Sequence, residues 1–185
     1  NCYLPSLVCR KYRNSRIVAF STGNVYGLVA NHRGGSVETD IPNPVGEYAM
    51  AALGRERIFQ YFSRSLPLPL VLLRLNYATE LRYGVLVDLA QKVWTEQPID
   101  LTMGHVNVVW QADANAMALS ALEHTATPPL IVNSAGKEIL SIRQTAEELG
   151  GLLDKPVHLT GREAPDALLG NGKKGHQVLG KPQTS

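Results

Sequence analysis

The decapeptide VAFSTGNVYG, residues 18–27, decides the fold. With Arg16 and Ile17 before it, its first half (RIVAFS) is apolar without alternation, the pattern of a strand covered on both faces. The strand runs straight into two hydroxyls, Ser21 and Thr22, and then a glycine. In open α/β sheets ligands bind outside the carboxyl ends of the strands, so hydroxyls delivered there are placed to hold a reacting oxygen. On these ten residues alone, the pair reads first as ordinary turn chemistry, because Ser and Thr commonly follow strands.

Outward from this strand the pattern repeats. LPSLVCRKYR, residues 4–13, predicts a helix with Pro5 in its first turn. Residues 22–46, rich in Gly, Asn, Pro and Ser, predict a loop. A helix is expected from about residue 47 to residue 65, then a second buried strand in LPLVLLRLN, 68–76. GVLVDLAQKVWTE, 84–96, is an amphipathic helix, and IDLTMGHVNVVW, 99–110, holds two short strand candidates around Gly104. Asp113 is expected to cap a helix running to about His124. PLIVNSAG, 129–136, is a third buried strand, and Ser141 with Gln144 matches a capping box before IRQTAEELGGLLD. PVHLTG, 156–161, offers one more strand, and the glycine-rich end GNGKKGHQVLGKPQTS, 170–185, reads as a polar tail frayed at its last few residues. Buried strands alternating with helices predict an α/β fold with a parallel sheet and helices on both faces.

The bulk numbers set bounds. The chain has 185 residues and 44% hydrophobic content, enough for a packed core. Charged residues are 18%, below the roughly 25% usual for soluble domains, which suggests partner surface not present in the chain. A net charge of +2 argues for neither nucleic acid nor an anionic membrane. Cys2 and Cys9 are seven apart; on a helix that is about 10 Å, too far for a disulfide, and a reducing, cytoplasmic setting fits. No apolar run reaches the ~20 residues of a membrane span. His105, His124, His158 and His176 lack ligand spacing, so no metal is expected.

A second stretch makes the first specific. GEYAMAALGRE, residues 46–56, places Tyr48 at the opening of a helix, in order behind the hydroxyl strand. F-S-T-x-x-V-Y-G followed by a loop and such a tyrosine resembles the extended short-chain dehydrogenase/reductase superfamily, and within it the NAD-dependent epimerase/dehydratase family acting on nucleotide sugars. The resemblance continues through LLRLNYATE (72–80), through VVWQADANAMALSALE (108–123) with Asp113 at the family's turn aspartate, through LIVNSAGKEILSIRQTAEEL (130–149) and through HQVLGKP (176–182). It implies the second half of a Rossmann-type doubly wound parallel sheet plus a small α/β substrate-binding region. The implied division is 1–82 for the Rossmann half, 83–110 for a substrate-domain segment, 111–136 returning to the sheet, and 137–185 for a C-terminal substrate-domain segment.

The family's roles carry over by position. Tyr48 is the base that takes the substrate's hydroxyl proton, and Thr22 holds the reacting oxygen. Ser21, Tyr48, Asn76 and Tyr77 lie where the family meets NAD or NADP. Thr22, Gly23, Asn24, Thr79 and Arg82 lie where it meets a nucleotide sugar or similar polyol. Arg82, Lys173 and Lys174 are candidates for a substrate phosphate. A free phenol has a pKa of about 10, and the family lowers it with a lysine four residues on. Here that position is Ala52, so activity by the standard route is expected to be reduced. Arg55 reaches poorly from two turns away, with Glu47 or Glu56 as its candidate partners, and Tyr26 reads as a packing tyrosine. Gly23-Asn24 replaces the Asp-Glu pair of the dehydratases and cannot move protons for water loss.

The family's glycine-rich first half has no counterpart here: no G-x-G-x-x-G precedes the hydroxyl strand. The sequence begins at Asn1, at the start of the helix before that strand, so the natural chain is expected to be longer, or a partner is expected to cover the sheet's open edge. The helix holding ALGRERIFQYFS is a candidate homodimer contact. The alternative reading is a non-catalytic, dinucleotide-sensing or scaffolding pseudoenzyme of the same fold, favoured by Ala52.

Overall fold

The three buried-strand readings become the three strands of one parallel sheet. The computed structural model describes residues 2–184; Asn1 and Ser185 lie outside it. In chain order the elements are α1 (Tyr3–Lys11), β1 (Ile17–Thr22), β2 (Val29–Ala30), α2 (Gly46–Ser65), β3 (Leu70–Leu75), β4 (Ala78–Thr79), α3 (Val85–Trp94), β5 (Ile99–Asp100), β6 (His105–Val106), β7 (Val109–Trp110), α4 (Gln111–Ser120), β8 (Leu130–Ser134), β9 (Leu140–Ser141), α5 (Ile142–Leu153), β10 (Leu159–Thr160), β11 (Asp166–Ala167) and α6 (Lys173–Leu179). Among the described residues, no helix is long and apolar enough to cross a membrane.

The main sheet has the order β1-β3-β8. Side chains alternate across it, because successive residues of a strand point to opposite faces. Leu70 and Leu72 of β3 join Ala19 of β1 and Phe59 and Phe62 of α2 on one face, where Cys9 of α1 also packs. Val71 and Leu73 join Met117 of α4, Val132 of β8 and Leu179 of α6 on the other. Helices thus cover both faces, the α/β, Rossmann-type arrangement that the sequence pattern implies. A second apolar cluster sits beside it: α3 and α5 pack through Leu89, Val93, Ile142 and Ala146 over Ile99, Leu101 and Val106. Each fully buried leucine contributes about 1.5–3 kcal/mol, so β3, with its first four residues shut away from water, anchors the sheet.

Several local expectations need correction. The first strand is only partly covered: Ala19 packs in one core cluster and Val18 against the other, but Phe20 is 45% exposed on this edge strand. The 22–46 segment contains β2, paired antiparallel with β11, and two short 3-10 turns. Asp113 does not cap a helix, since α4 begins two residues earlier at Gln111; its carboxylate instead accepts the Thr184 backbone N–H at 2.9 Å. Ser141 does cap α5, accepting from the Gln144 N–H at 3.3 Å, but the Gln144 side chain turns to Glu148, so only half of the capping box forms. The glycine-rich tail is structured: α6 packs on β8 and buries Leu179. Cys2 and Cys9 are both free, as their spacing requires.

Candidate functional site at the carboxyl end of the sheet

Register places the site. Ser21, Arg74 and Asn133 lie side by side across β1, β3 and β8, and Thr22, Leu75 and Ser134 form the next row. The Ser21 row points toward α2, where Glu56 is waiting. Ser21 Oγ donates to Glu56 Oε1 at 2.6 Å. Arg74 grips the same carboxylate with both arms, Nε to Oε1 at 2.9 Å and Nη2 to Oε2 at 2.7 Å. Its remaining arm, Nη1, donates to the Tyr26 hydroxyl at 2.7 Å, and that hydroxyl donates to Asn133 Oδ1 at 2.8 Å. The guanidinium carbon also sits 4.7 Å from the centroid of the Tyr26 ring. Asn133 passes the chain on through its amide to the carbonyls of Ser36 and Asn171, and its N–H donates to Glu38. Every member from Ser21 to Asn133 is buried, so this is a dry, connected floor.

The electrostatics follow from that enclosure. Burial opposes the charge on Arg74, but the doubly hydrogen-bonded Glu56 carboxylate outweighs it and holds the guanidinium above its ordinary value. Burial pushes the Tyr26 phenol up, against the Arg74 charge. Tyr26 therefore stays protonated and serves as a bridge, not a base.

Above the floor lies a cavity of about 250 Å³ lined by Ser21, Thr22, Gly23, Asn24, Tyr48, Asn76 and Tyr77, with Leu75, Ala78 and Leu168 as its apolar part. Thr22 Oγ1 accepts the Asn24 N–H at 3.2 Å, which leaves its own proton free to donate. Asn76 is only 4% exposed; its Nδ2 donates to Asn107 Oδ1 at 3.1 Å, and its Oδ1 is buried without a partner. Gly23 and Gly170 face the Asn76 amide from two sides, and a Cβ at either would collide with it. Burial pushes the Tyr77 phenol up. Tyr48, on the first turn of α2, is 59% exposed and opens to the cavity from its rim.

Seven of the nine sequence-selected positions meet in this cavity. Thr79 and Arg82 do not. Thr79 is buried with its hydroxyl donating to the Tyr83 carbonyl at 3.3 Å, beside a different cavity. Arg82 is solvent-facing and paired with Glu80 at 2.6 Å. Arg55 lines a groove with Leu4, Val8 and Phe59 between α1 and β1, not the Tyr48 cavity, and Glu56 is committed to Arg74. Lys174 is turned inward, donating to the Ile131 carbonyl at 2.8 Å. Ala52 is 1% exposed and packs against Val25, Tyr26 and Leu53. Sequence reasoning assigned Glu56 to Arg55 and not to Arg74, and missed Asn107 altogether. Their signals are weak, a carboxylate eight residues after the tyrosine on one helix and an asparagine between two valines. Among the described residues no group of three or more His, Cys, Asp or Glu could hold a metal ion.

No protein-family model and no curated protein matches the sequence. Solved structures do match the fold. It is similar to UDP-glucuronic acid 4-epimerase from Bacillus cereus, solved with UDP-glucuronic acid and NAD, at a TM-score of 0.83 and 17% identity, over 100% of this chain and 62% of that one. It is similar to dTDP-glucose 4,6-dehydratase from Bacillus anthracis, solved with NAD, at 0.79 and 17%, over 98% and 61%. UDP-glucose 4-epimerase from Thermus thermophilus, also solved with NAD, gives 0.78 and 20%, over 97% and 63%. The fold is therefore the Rossmann-type α/β fold that these structures share. The chain spans about three-fifths of the length of those structures.

Proposed function

We propose that this chain is the substrate-side portion of an NAD(P)-dependent, epimerase/dehydratase-like oxidoreductase acting on a nucleotide sugar or similar polyol. The observation that supports it is the single cavity gathering Ser21, Thr22, Gly23, Asn24, Tyr48, Asn76 and Tyr77 at the carboxyl ends of β1 and β3.

The residues present fit one end of the dinucleotide. The buried Asn76 Oδ1 needs a donor, and the glycines at 23 and 170 let the Asn76 amide lie close against the backbone. Ser21, Tyr48, Asn76 and Tyr77 would hold the nicotinamide end. Among the described residues no strand, glycine-rich turn and helix fit the pyrophosphate. Bound there, the dinucleotide supplies a hydride acceptor and donor.

The chain's own residues do the rest. Thr22 donates its free proton to the reacting oxygen of the substrate, while Gly23 and Asn24 border the space that the sugar would fill. Tyr48 takes the hydroxyl proton. Without a lysine at position 52, nothing on that turn of α2 supplies a cation to the phenolate. With the lysine's contribution to that proton transfer missing, a low rate is expected. The exposed Met50 and Tyr61 of α2, with Leu4 and Leu7 of α1, offer an apolar surface for a homodimer.

The test is conversion of a nucleotide sugar in the presence of NAD+, followed by NMR of the sugar and by absorbance of the reduced nicotinamide. Slow turnover is expected, falling a further ~10²-fold or more in Tyr48→Phe, the usual contribution of a positioned acid–base group. Undiminished turnover in that variant overturns the assignment. A second reading is favoured by one observation, the buried Ala52 at the lysine position: a dinucleotide-sensing or scaffolding pseudoenzyme. NAD+ binding by calorimetry with no turnover in the wild type selects it.

A further inference from the structure

Two neighbouring hydroxyls at the end of β1 border the tyrosine cavity with opposite polarity. Thr22 Oγ1 accepts the Asn24 N–H at 3.2 Å, so its own proton is free for a ligand. Ser21 is the reverse. Its Oγ lies 2.6 Å from Glu56 Oε1, and the proton of that contact can come from one side only. Glu56 is fully buried, and Arg74 meets both of its oxygens, Nε on Oε1 at 2.9 Å and Nη2 on Oε2 at 2.7 Å. An arginine side chain does not give up its charge, and a buried guanidinium beside a neutral acid would stand uncompensated. Glu56 is therefore the carboxylate, a group that only accepts. The one proton of Ser21 is committed to it, and what Ser21 has left for the cavity is a lone pair.

That direction is locked. A serine hydroxyl in water turns freely and gives or takes as its neighbour requires. Here, turning the proton toward the cavity would break a charge-assisted bond and leave the carboxylate short of a donor. Glu56 is 0% exposed, so water cannot take the vacated place. A second relay ends in the same polarity. The Gly170 backbone fixes the Asn107 amide by an N–H on Oδ1 at 3.2 Å and a carbonyl on Nδ2 at 2.6 Å. Asn107 Oδ1 then takes Asn76 Nδ2 at 3.1 Å, which leaves Asn76 Oδ1, buried beside Gly23, as another acceptor without a donor.

A ligand hydroxyl could adapt to either polarity, but a carboxylate or a bare carbonyl oxygen could not. A fixed acceptor discriminates best when it meets a fixed donor, and the NH2 of a primary carboxamide is one. We infer that Ser21 is a specificity-determining acceptor that takes the N–H of a primary carboxamide and turns away a carbonyl or carboxylate oxygen, and that Glu56, held by Arg74, is the positioning residue that imposes this polarity. The choice of a carboxamide as occupant rests on the oxidoreductase reading above, in which the nicotinamide end lies here; the polarity of Ser21 does not.

Nicotinamide and 3-acetylpyridine test it, since both are neutral and of one shape and differ only in an NH2 against a methyl. Each is titrated into the chain and followed by the backbone amide NMR shifts of residues 21–24. Nicotinamide is expected to bind about tenfold more tightly, the scale of one hydrogen bond left unmade. In Ser21→Ala the two probes should bind alike. In the double variant Arg74→Met with Glu56→Leu the Ser21 proton is released to the cavity, so 3-acetylpyridine should bind several-fold more tightly than it does to the wild type. A damaged fold would weaken both probes and could not produce that gain. If the double variant does not fold, Ser21→Ala decides. Equal binding of the two probes to the wild type, binding of neither, or a tenfold preference that survives Ser21→Ala overturns the inference. A tenfold preference in a chain without turnover keeps the polarity rule and removes the hydride-transfer reading; turnover with equal binding of the probes does the opposite.

Discussion

The floor and the rim of the candidate site are built on opposite terms. The floor is Ser21, Glu56, Arg74, Tyr26 and Asn133, dry and joined end to end by hydrogen bonds. The rim is Tyr48, Tyr77 and Asn24, partly wet and held at few points. A buried polar network must be complete, because each unpaired member forfeits its hydration for nothing. An exposed hydroxyl carries no such obligation, since water fills its valences. The floor thus fixes where the strand ends lie, and the rim is free to be chosen for chemistry. Substitutions of floor residues should cost stability, and substitutions at the rim should cost function alone.

The sharpest way to break this contrast is to split the ion pair at the centre of the floor. Arg74→Met leaves the Glu56 carboxylate buried with only Ser21 as a partner. The expected loss is about 3–5 kcal/mol, the usual result of stranding one buried charge, read from the denaturant midpoint. Adding Glu56→Leu to Arg74→Met should recover much of it, because the two apolar side chains then pack without an uncompensated charge. A single variant as stable as the wild type would mean that water reaches the pair and the floor is not dry.

That pair also marks the limit of what the sequence makes legible. The strand at 17–22, the helix at 46–65 and the strand at 70–75 can be read from apolar runs and glycine or proline punctuation, because those signals are local. Their coming together can be read only in outline. Glu56 reads as a candidate partner of Arg55, since helical spacing does not say that a strand arginine 18 residues later will arrive opposite it. The tail was obscured by composition: Gly170, Gly172 and Gly175 suggest a flexible end, yet Gly175 is what lets α6 lie against the Asn133 backbone, where a Cβ would collide. Asp113 shows the same limit. An aspartate at a helix start is normally a cap, and only the folded chain shows that the Thr184 N–H reaches it first. Arg82 has the right residue type and position for a substrate phosphate, but the turn after β4 sends it to solvent and Glu80.

A milder probe of the floor removes one hydroxyl. Tyr26→Phe takes a partner from both Arg74 Nη1 and Asn133 Oδ1 while keeping the ring and its packing. Two buried groups left short of a bond predict a loss of about 1–3 kcal/mol in thermal or denaturant unfolding. A change under about 0.5 kcal/mol would indicate that Arg74 and Asn133 re-pair directly.

Asp113 is a carboxylate of intermediate kind, buried like Glu56 but held by backbone N–H groups and not by a guanidinium. Burial alone would raise its pKa, but the N–H groups of Thr184 and Gln183 outweigh it, and the carboxyl is held below the usual aspartate range. A folded pKa below the unfolded one means that the stabilisation is fully present above the ordinary aspartate value and is lost as pH falls through the depressed folded value. Hydrogen exchange at the Thr184 amide should therefore quicken at acid pH, once separated from the intrinsic pH dependence of exchange. In Asp113→Asn the amide should exchange faster at neutral pH and lack that acid-dependent step. An unchanged Thr184 exchange rate in the variant would show that the contact does not hold the chain's end.

The smallest effect on stability belongs to the residue with the largest role in the proposed chemistry. Tyr48 is 59% exposed, sits on the first turn of α2, and lines the open cavity. Removing that hydroxyl strands no buried group and opens no core cavity, so Tyr48→Phe should stay within about 0.5 kcal/mol of the wild type by denaturant unfolding. Turnover, by contrast, should fall by the ~10²-fold or more given above. A destabilisation of about 2 kcal/mol or more would place Tyr48 among the floor residues after all, because only a buried, bonded hydroxyl costs that much to remove. The lesson would then reverse: the tyrosine would be part of what holds the strand ends in place, and loss of activity in its variants could no longer be read as loss of a base.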